Sequence, residues 1–297
     1  MKRAATNGEA DSTMKTYNEI YFSARTALRN CGIEAYNLEA RIIVSYAAGK
    51  TSAELMRDMP LYTTPAVEQK VYDLCERRIK GEPVAYLTGS WEFYGLPMVV
   101  TRDVLIPRMD TELLVDAAKE LLLGRKMDAR VLDLCCGSGC ITCAVGHELP
   151  AAKLVAVDIS ANALDVCRRN VALNRLSGRA MCMQADALTS PPMSVGQFDL
   201  IVSNPPYIPS EEIHLLDTSV KDYEPLWALD GGEDGLRFYR AIIKNWRNCL
   251  RSGGAFIFEV GEGQAQAVCD MLSSASFRSV YTKKDTLGVD RAVIGII

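Results

Sequence analysis

The spacing of apolar residues changes along this chain, and the change separates a helical part from a part in which strands and helices alternate. In the first part apolar positions recur three and four apart, the spacing of one helix face. Helix-start signals occur at Thr51, with Glu54 three residues later, and at Thr64, followed by Pro65. Apolar faces are predicted at Ile20, Ala24, Ala27 and Leu28, and at Leu38, Ile42, Ile43 and Tyr46. We predict a helical, substrate-docking domain over residues 15–83.

Residues 84–106 have another character, with aromatic and β-branched residues interrupted by glycine and proline. Such a stretch predicts a β-hairpin, here linking two domains. Ile106-Pro107-Arg108 follows the hairpin, and a helix is predicted to begin at Asp110 or Thr111 and to end at Gly124.

From residue 130 onward, short apolar runs alternate with helical periods. This alternation predicts an α/β fold, a mostly parallel sheet with helices on both faces. Strands are predicted at 131–134, 154–158, 180–183, 198–202, 255–260, 277–282 and 290–297. Helices are predicted after Gly139 and after Ser160, over 235–250 and over 263–273.

Composition and charge narrow the possible functions. With 48% apolar and 24% charged residues the chain is expected to be a soluble globular protein. Its net charge of −4 argues against a tight nonspecific grip on nucleic acid. No apolar run is long enough to span a bilayer. Residues 1–14 are polar, so we expect a disordered leader and not a secretory signal.

The chain has ten cysteines, and four of them are close together in sequence. These are Cys135, Cys136, Cys140 and Cys143. Their spacing matches no metal-ligand pattern, and only two histidines are present to complete one. We interpret them as small buried residues of a protein in a reducing compartment, with no metal site.

The stretch from Ser203 to Tyr207, Ser-Asn-Pro-Pro-Tyr, follows a buried apolar run. Two prolines end a strand and hold the preceding residues extended. The stretch therefore forms a stiff loop at the carboxyl end of a strand, where open α/β sheets bind ligands. Asn204, the loop carbonyl groups and the Tyr207 ring suit a planar NH2 group. A Pro-rich turn with Tyr207 packed on the core is the structural alternative.

A second group of residues suits a nucleoside cofactor. Gly137 and Gly139 lie on a strand–turn–helix unit that begins at Asp133, and glycine lets the backbone approach a ligand closely. Asp158 ends the next strand, where a carboxylate can accept hydrogen bonds from both hydroxyls of a ribose. The third glycine of a dinucleotide site is missing, which favours S-adenosylmethionine. Asp186 could reach an adenine amine, or could simply be a loop charge.

In these residues the chain resembles the class I S-adenosylmethionine methyltransferases, which have a Rossmann-like seven-stranded sheet. It is most similar to the HemK-type release-factor glutamine methyltransferases over residues 17–297. The segments that carry the resemblance are Gly81–Gly89, Phe93–Gly95, Leu105–Arg108 with Asp110–Glu112, Asp133–Gly139, Asn204–Tyr207, and Tyr223–Pro225 with Ala228–Leu229.

The resemblance implies N5 methylation of the glutamine in the Gly-Gly-Gln motif of peptide chain release factors, by a cytoplasmic, monomeric enzyme that makes no direct contact with nucleic acid or membrane. Its implied methyltransferase domain covers residues 107–297. Its implied cofactor residues are Cys135, Cys136, Gly137, Ser138, Gly139, Asp158, Asp186, Ala187 and Asn204. Its implied substrate residues are Asn204, Pro205, Pro206 and Tyr207. Cys135 departs from the wider pattern, which has glycine there, so we expect its side chain to point away from the cofactor.

The chemistry of an amide nitrogen suggests how the predicted site works. The nitrogen is a poor nucleophile, so positioning is the main task. We hypothesise that the Asn204 side-chain oxygen and the Pro205 carbonyl accept the two amide hydrogens, while Tyr207 forms a wall of the pocket. Two alternatives remain: a nucleic-acid amine methyltransferase using the same loop, and a non-catalytic docking protein with a methyltransferase-like fold.

Overall fold

The structure is a computed structural model that describes residues 14–123 and 128–297. It contains two compact units, Met1–Thr88 and Gly89–Ile297. Apart from Met14, the predicted leader lies outside the described residues, and so does the predicted helix end at Gly124. No helix in the described ranges has the length and apolar character needed to cross a membrane.

The first unit is helical. Both predicted helix starts are present: Glu54 and Thr51 exchange side-chain and backbone hydrogen bonds, and the Thr64 hydroxyl accepts from the Val67 amide. These bonds satisfy amide groups that have no partner within the helix. The helices are α1 (Tyr17–Asn30), α2 (Tyr36–Ala48), α3 (Ser52–Asp58), α4 (Pro65–Ile79) and α5 (Val84–Thr88).

The buried face of α2 differs from the predicted one. Leu38 and Tyr46 are 47% and 41% exposed, whereas Ile43 and its neighbours along the helix are buried against α1 and α4. The reason is that a helix of mixed apolar character has two plausible apolar stripes, and the packing partners select one of them. The buried stripe consists of Ala40, Ile43, Val44, Ser45 and Ala47.

The predicted hairpin over residues 84–106 is wrong at both ends. Residues 84–88 form α5, and the hairpin comprises only β1 (Ser90–Phe93) and β2 (Leu96–Val99), paired antiparallel. Val84, Ala85 and Leu87 are buried, and α5 contacts α2 and α4. Burial within the helical unit thus outweighs the strand preference of Val84 and Tyr86.

The second unit contains the predicted seven-stranded sheet. The strands are β3 (Arg130–Leu134), β4 (Lys153–Asp158), β5 (Ala180–Gln184), β6 (Phe198–Ser203), β7 (Leu250–Glu259), β8 (Ser279–Lys284) and β9 (Asp290–Ile296). Their order in the sheet is β5-β4-β3-β6-β7-β9-β8. Strands β3 to β7 are parallel to one another, and β9 is antiparallel to both β7 and β8. This confirms the α/β class.

Helices cover both faces of the sheet. The helices of this unit are α6 (Glu112–Leu122), α7 (Cys140–Glu148), α8 (Ala161–Leu173), the short α9 (Thr218–Lys221), α10 (Arg237–Trp246) and α11 (Ala265–Ser274). Successive strand residues point to opposite faces, so Val131 lies in one buried cluster with α6 to α8, and Leu132 lies in the other with α10 and α11.

Strand register brings several polar residues to one edge of the sheet. Leu134 on β3 pairs with Val157 on β4 and with Ser203 on β6, and Ser203 pairs with Phe258 on β7. The next residue along each strand is therefore at the same level. These residues are Cys135, Asp158, Asn204 and Glu259.

One buried asparagine links the hairpin to the sheet domain. Asn170 on α8 has no exposed surface. Its Oδ1 accepts from the Val99 amide at 2.6 Å, and its Nδ2 donates to the carbonyl groups of Val99 and Ser138, both at 2.9 Å. The side chain thus pairs with both backbone polar groups of Val99 at the end of β2, and it also bonds the glycine turn after β3.

Asn170→Ala is expected to lower the free energy of unfolding by about 3 kcal/mol, because the buried Ser138 carbonyl and the partly buried Val99 amide and carbonyl lose their partner. Urea unfolding followed by tryptophan fluorescence measures this, since Trp91, Trp227 and Trp246 all lie in the second unit. Asn162→Ala is the control on the same helix, because the Asn162 side chain is exposed and donates only to the Asp103 side chain, and its cost is expected to stay below about 1 kcal/mol. Equal losses in the two variants would contradict this role.

Candidate active site

A cavity opens at the carboxyl edge of the sheet. Its lining includes Cys135, Gly137, Asp158, Asp186, Asn204 and Pro206. The glycine turn after β3, the end of β4, the loop after β5 and the loop after β6 thus meet around one space. The segment before α6 forms another side, through Pro107, Arg108 and Thr111.

The turn after β3 depends on its two glycines in different ways. Gly137 has φ 51° and borders the cavity, and its amide donates to Asp158 Oδ2 at 2.9 Å. Gly139 has φ 75° and is not part of the lining. A Cβ at position 139 would lie 2.5 Å from the Cys167 Sγ. Gly139 therefore permits close packing of the turn on α8 and does not itself face the cavity. Ser138 is buried but borders the cavity.

Cys135 occupies the position where the wider family pattern has glycine, and its φ of 60° shows why glycine suits the turn. Its side chain packs against the buried cluster of β3, β6 and α10, while the residue still borders the cavity. Burial raises the pKa of the Cys135 thiol, so it stays protonated. All ten cysteines are free, and the described residues contain no group of three metal-ligating side chains.

Asp158 faces the cavity with both oxygens held in place. Oδ2 accepts from the Gly137 amide and Oδ1 from the Ser160 amide, each at 2.9 Å. A carboxylate oxygen has two lone pairs, so each retains one for a ligand hydroxyl. Burial raises the pKa of Asp158, and the two backbone hydrogen bonds oppose that shift. The arrangement fits the paired hydroxyls of a ribose.

Asp186 and Ala187 line the cavity beside Asp158. Asp186 Oδ1 accepts from the Leu188 amide at 2.8 Å, so the side chain also shapes its own loop. The Ala187 carbonyl accepts from the Trp246 indole at 3.0 Å, which ties that loop to α10. Asp186 therefore has a structural role and a position at the cavity at the same time.

The loop after β6 places only part of its motif at the cavity. Asn204 and Pro206 line it, whereas Pro205 and Tyr207 are not among the lining residues. The Tyr207 hydroxyl donates to Glu259 Oε1 at 3.3 Å, and its carbonyl accepts from Gln264 at 2.8 Å. The predicted wall by Tyr207 is corrected accordingly: the residue packs against the buried cluster of β3, β6 and α10, where its hydroxyl has a buried carboxylate as partner.

A buried carboxylate, Glu224, joins the segment before α6 to the segment Tyr223–Pro225. Glu224 is 5% exposed, pairs with Arg108 and accepts from the Ile106 amide at 3.3 Å. Burial raises the pKa of Glu224, and the Arg108 guanidinium opposes the shift. The Ile-Pro-Arg and Tyr-Glu-Pro segments, more than a hundred residues apart in the chain, are thus parts of one structure.

The sequence did not identify Thr111 and Glu259 as site residues, although they form a hydrogen-bonded chain with Asn204. The Asn204 Nδ2 donates to Thr111 Oγ1 at 3.2 Å, and Thr111 Oγ1 donates to Glu259 Oε2 at 2.6 Å. A signal for Glu259 was available, because it ends a buried strand as Asp158 does. Nothing in the local sequence connects it to Thr111, since the contact spans 148 positions.

The charge of the lining suits a cationic ligand. Asp103, Asp158 and Asp186 border the cavity, and its cation, Arg108, is paired with Glu224. The sulfonium of S-adenosylmethionine is positively charged, its ribose matches Asp158, and its adenine can lie against the loop at Asp186. The residues present therefore fit this cofactor.

The fold and the site together define a class I S-adenosylmethionine-dependent methyltransferase. The family profile "Methyltransferase small domain" matches residues 109–218, and "PrmC N-terminal domain" matches residues 19–89. The fold is shared with the crystal structure of the hMettl16 catalytic domain in complex with MAT2A 3'UTR hairpin 6. The TM-score is 0.57 at 16% identity, over 75% of this chain and 81% of that one.

Full-length relatives identify the family. The release factor glutamine methyltransferase of Geobacter sulfurreducens is 39% identical over 95% of this chain and 97% of the relative. That of Caulobacter vibrioides is 38% identical, over 95% and 96%. That of Bordetella pertussis is 41% identical, over 86% and 92%. The chain belongs to the release factor glutamine methyltransferase family.

Asp158→Ala is expected to weaken S-adenosylmethionine binding about ten- to a hundredfold, because hydrogen bonds to a charged acceptor are lost. Isothermal titration calorimetry measures the change. Asp165→Ala is the matched control, since it removes the same charge from an exposed site on α8. An unchanged affinity for S-adenosylmethionine in a folded Asp158→Ala variant would refute the assignment of Asp158 to cofactor binding.

Proposed function

We propose that this protein transfers the methyl group of S-adenosylmethionine to the side-chain amide nitrogen of the glutamine in the Gly-Gly-Gln motif of peptide chain release factors. The observation that carries the proposal is that one cavity contains both the cofactor-type turn with Asp158 and the side chain of Asn204. Membership of the family, with relatives matched over nearly their whole length, supports the same substrate.

The protein's task in this reaction is to orient a weak nucleophile. The cofactor, when bound, supplies an activated methyl group. Asn204 offers a side-chain oxygen for one amide hydrogen, and the Pro205 carbonyl is proposed for the other. Pro205 lies between Asn204 and Pro206, both of which border the cavity. Acceptors in these positions hold the nitrogen in line and stabilise the positive charge that develops on it.

No strong base is required by this scheme. The amide nitrogen becomes acidic only once it has begun to bond to the methyl group, so its proton can leave late to water. The described lining residues accordingly contain no histidine. Asp158 and Asp186 are assigned to the cofactor, and Asn204 is the residue that acts on the substrate.

A nucleic-acid amine methyltransferase is the main alternative, because it would use the same Asn-Pro-Pro-Tyr loop. The similarity to hMettl16, at 16% identity, concerns the fold alone. The net charge of −4 and the match to the PrmC N-terminal profile favour a protein substrate. We propose further that the helical unit docks the release factor, and that the enzyme works as a cytoplasmic monomer without direct nucleic-acid contact.

A methyl-transfer assay with labelled S-adenosylmethionine tests the substrate. The acceptors are an intact release factor, the same factor with its Gly-Gly-Gln glutamine changed to alanine, duplex DNA and ribosomal RNA. Label on the intact factor alone is expected, and it would define both the substrate and the atom class. Label on nucleic acid would overturn the proposal in favour of the alternative, and cofactor binding without transfer would support the docking-protein hypothesis.

Asn204→Ala is expected to lower the rate of transfer roughly 10²–10³-fold, the usual cost of losing one preorganised polar partner. Cofactor affinity should change little, because Asp158 and the glycine turn remain. Single-turnover kinetics with saturating cofactor separate the two effects. Asn248→Ala, at an exposed position outside the site, is the control. Near-normal turnover in Asn204→Ala would remove this residue from the mechanism.

A further inference from the structure

The orientation of the Asn204 amide decides what the cavity can bind. The oxygen and nitrogen ends of an asparagine side chain have almost the same size and shape, but one accepts hydrogen bonds and the other donates them. A glutamine NH2 group needs an acceptor. Packing alone does not distinguish the two ends, so hydrogen-bond partners must do so.

The partners of Asn204 form a directed chain that begins at a buried carboxylate. Glu259 is 2% exposed, and an ionised carboxylate only accepts hydrogen bonds. The hydroxyl of Thr111, itself 2% exposed, lies 2.6 Å from Glu259 Oε2 and has a single proton to donate. That proton goes to the carboxylate. Thr111 Oγ1 can then only accept, and it accepts from Asn204 Nδ2 at 3.2 Å. The remaining end, Oδ1, is free for the cavity.

We propose that Thr111 and Glu259 are positioning residues that fix the Asn204 amide with its oxygen toward the substrate. The inference rests on the proposed glutamine methylation and adds two side chains that act through Asn204. Thr111 borders the cavity and Glu259 does not, so we expect Glu259 to act through Thr111 and not by touching a ligand. Its other oxygen accepts from the Tyr207 hydroxyl at 3.3 Å, so one carboxylate holds both polar side chains of the loop after β6.

Protonation of Glu259 would release this constraint. A protonated carboxyl can donate a hydrogen bond to Thr111 Oγ1. The Thr111 hydroxyl can then donate to Asn204 Oδ1, and the Asn204 side-chain amide can rotate so that its nitrogen faces the cavity. Burial raises the pKa of Glu259 to about 7, and hydrogen bonds from Thr111 and Tyr207 oppose this shift.

Two charged side chains and one hydroxyl face Glu259, from three different elements. Asp110, in the turn before α6, raises its pKa, whereas Arg291 on β9 lowers it, and these two residues lie 3.6 Å from each other. The Tyr239 hydroxyl of α10 donates to the Glu259 backbone carbonyl at 2.8 Å. The orienting carboxylate form is therefore populated as the pH rises through about 7.

The orientation can be observed without substrate. In ¹⁵N-labelled protein, the side-chain NH2 signal of Asn204, assigned by its loss in Asn204→Asp, should shift with a midpoint near pH 7. The titration should vanish in Glu259→Gln. In Thr111→Val the signal should lose its hydrogen-bonded shift, and Thr111→Ser should restore it. An Asn204 signal that ignores pH and is the same in Thr111→Val would overturn the proposal.

Kinetics supply the second test. Thr111→Val should lower kcat roughly ten- to a hundredfold, the range expected when a buried hydrogen-bond partner is removed, with the affinity for S-adenosylmethionine nearly unchanged. Thr111→Ser should recover most of the rate, and Glu259→Gln should flatten the pH profile of kcat near 7. A Thr111→Ser variant as slow as Thr111→Val would show that the methyl packing matters and the hydroxyl does not, which refutes the proposal.

The two tests separate this inference from the proposed function. If the wild-type protein fails to label the release factor, the proposed substrate is wrong, while the NMR signal of Asn204 still decides how the amide is held. If the release factor is labelled but Thr111→Val changes neither the Asn204 signal nor kcat, the proposed function is supported and the positioning role is refuted.

Discussion

Parallel pairing of β3, β4, β6 and β7 is the constraint on which the site depends. Parallel strands joined by helical crossovers all end at the same edge of the sheet. Backbone hydrogen bonds also fix their register, with Leu134 level with Val157 and Ser203. A slip of one residue on any strand would turn its terminal side chain to the opposite face. This register places Asp158, Asn204 and Glu259 at the same level of one sheet edge.

Buried polar groups then hold the loops that leave this edge. Asp133 Oδ2 accepts from the Thr142 amide and hydroxyl near the start of α7, whereas its buried Oδ1 has no hydrogen-bond partner among the described residues, and burial raises the pKa of Asp133 to about 7. Asn170 joins the hairpin to the glycine turn, and Glu224 joins two rim segments. A buried polar group costs free energy unless it is paired. Here the paired groups determine loop geometry, which apolar contacts alone would leave loose.

The two sides of the cavity differ in chemistry. The acidic side, around Asp158 and Asp186, suits a cationic nucleoside cofactor, and the proposed substrate side lies at Asn204, which offers a side-chain amide. The same glycine turn tolerates Cys135, with φ 60°, because its thiol packs inward against the buried cluster. Cys135 therefore keeps the positive φ that glycine adopts most easily.

The sequence alone determined the α/β class, the seven strands, the helix starts at Thr51 and Thr64 and the motifs that face the cavity, because periodicity and capping are local properties. It did not determine the helical state of residues 84–88 or the buried stripe of α2, where tertiary packing chose between two allowed patterns. Nor did it show that the Tyr207 hydroxyl donates to Glu259, or that Thr111, Asn204 and Glu259 form one hydrogen-bonded chain. Those contacts join residues far apart in sequence, and only the folded sheet brings them within hydrogen-bonding distance.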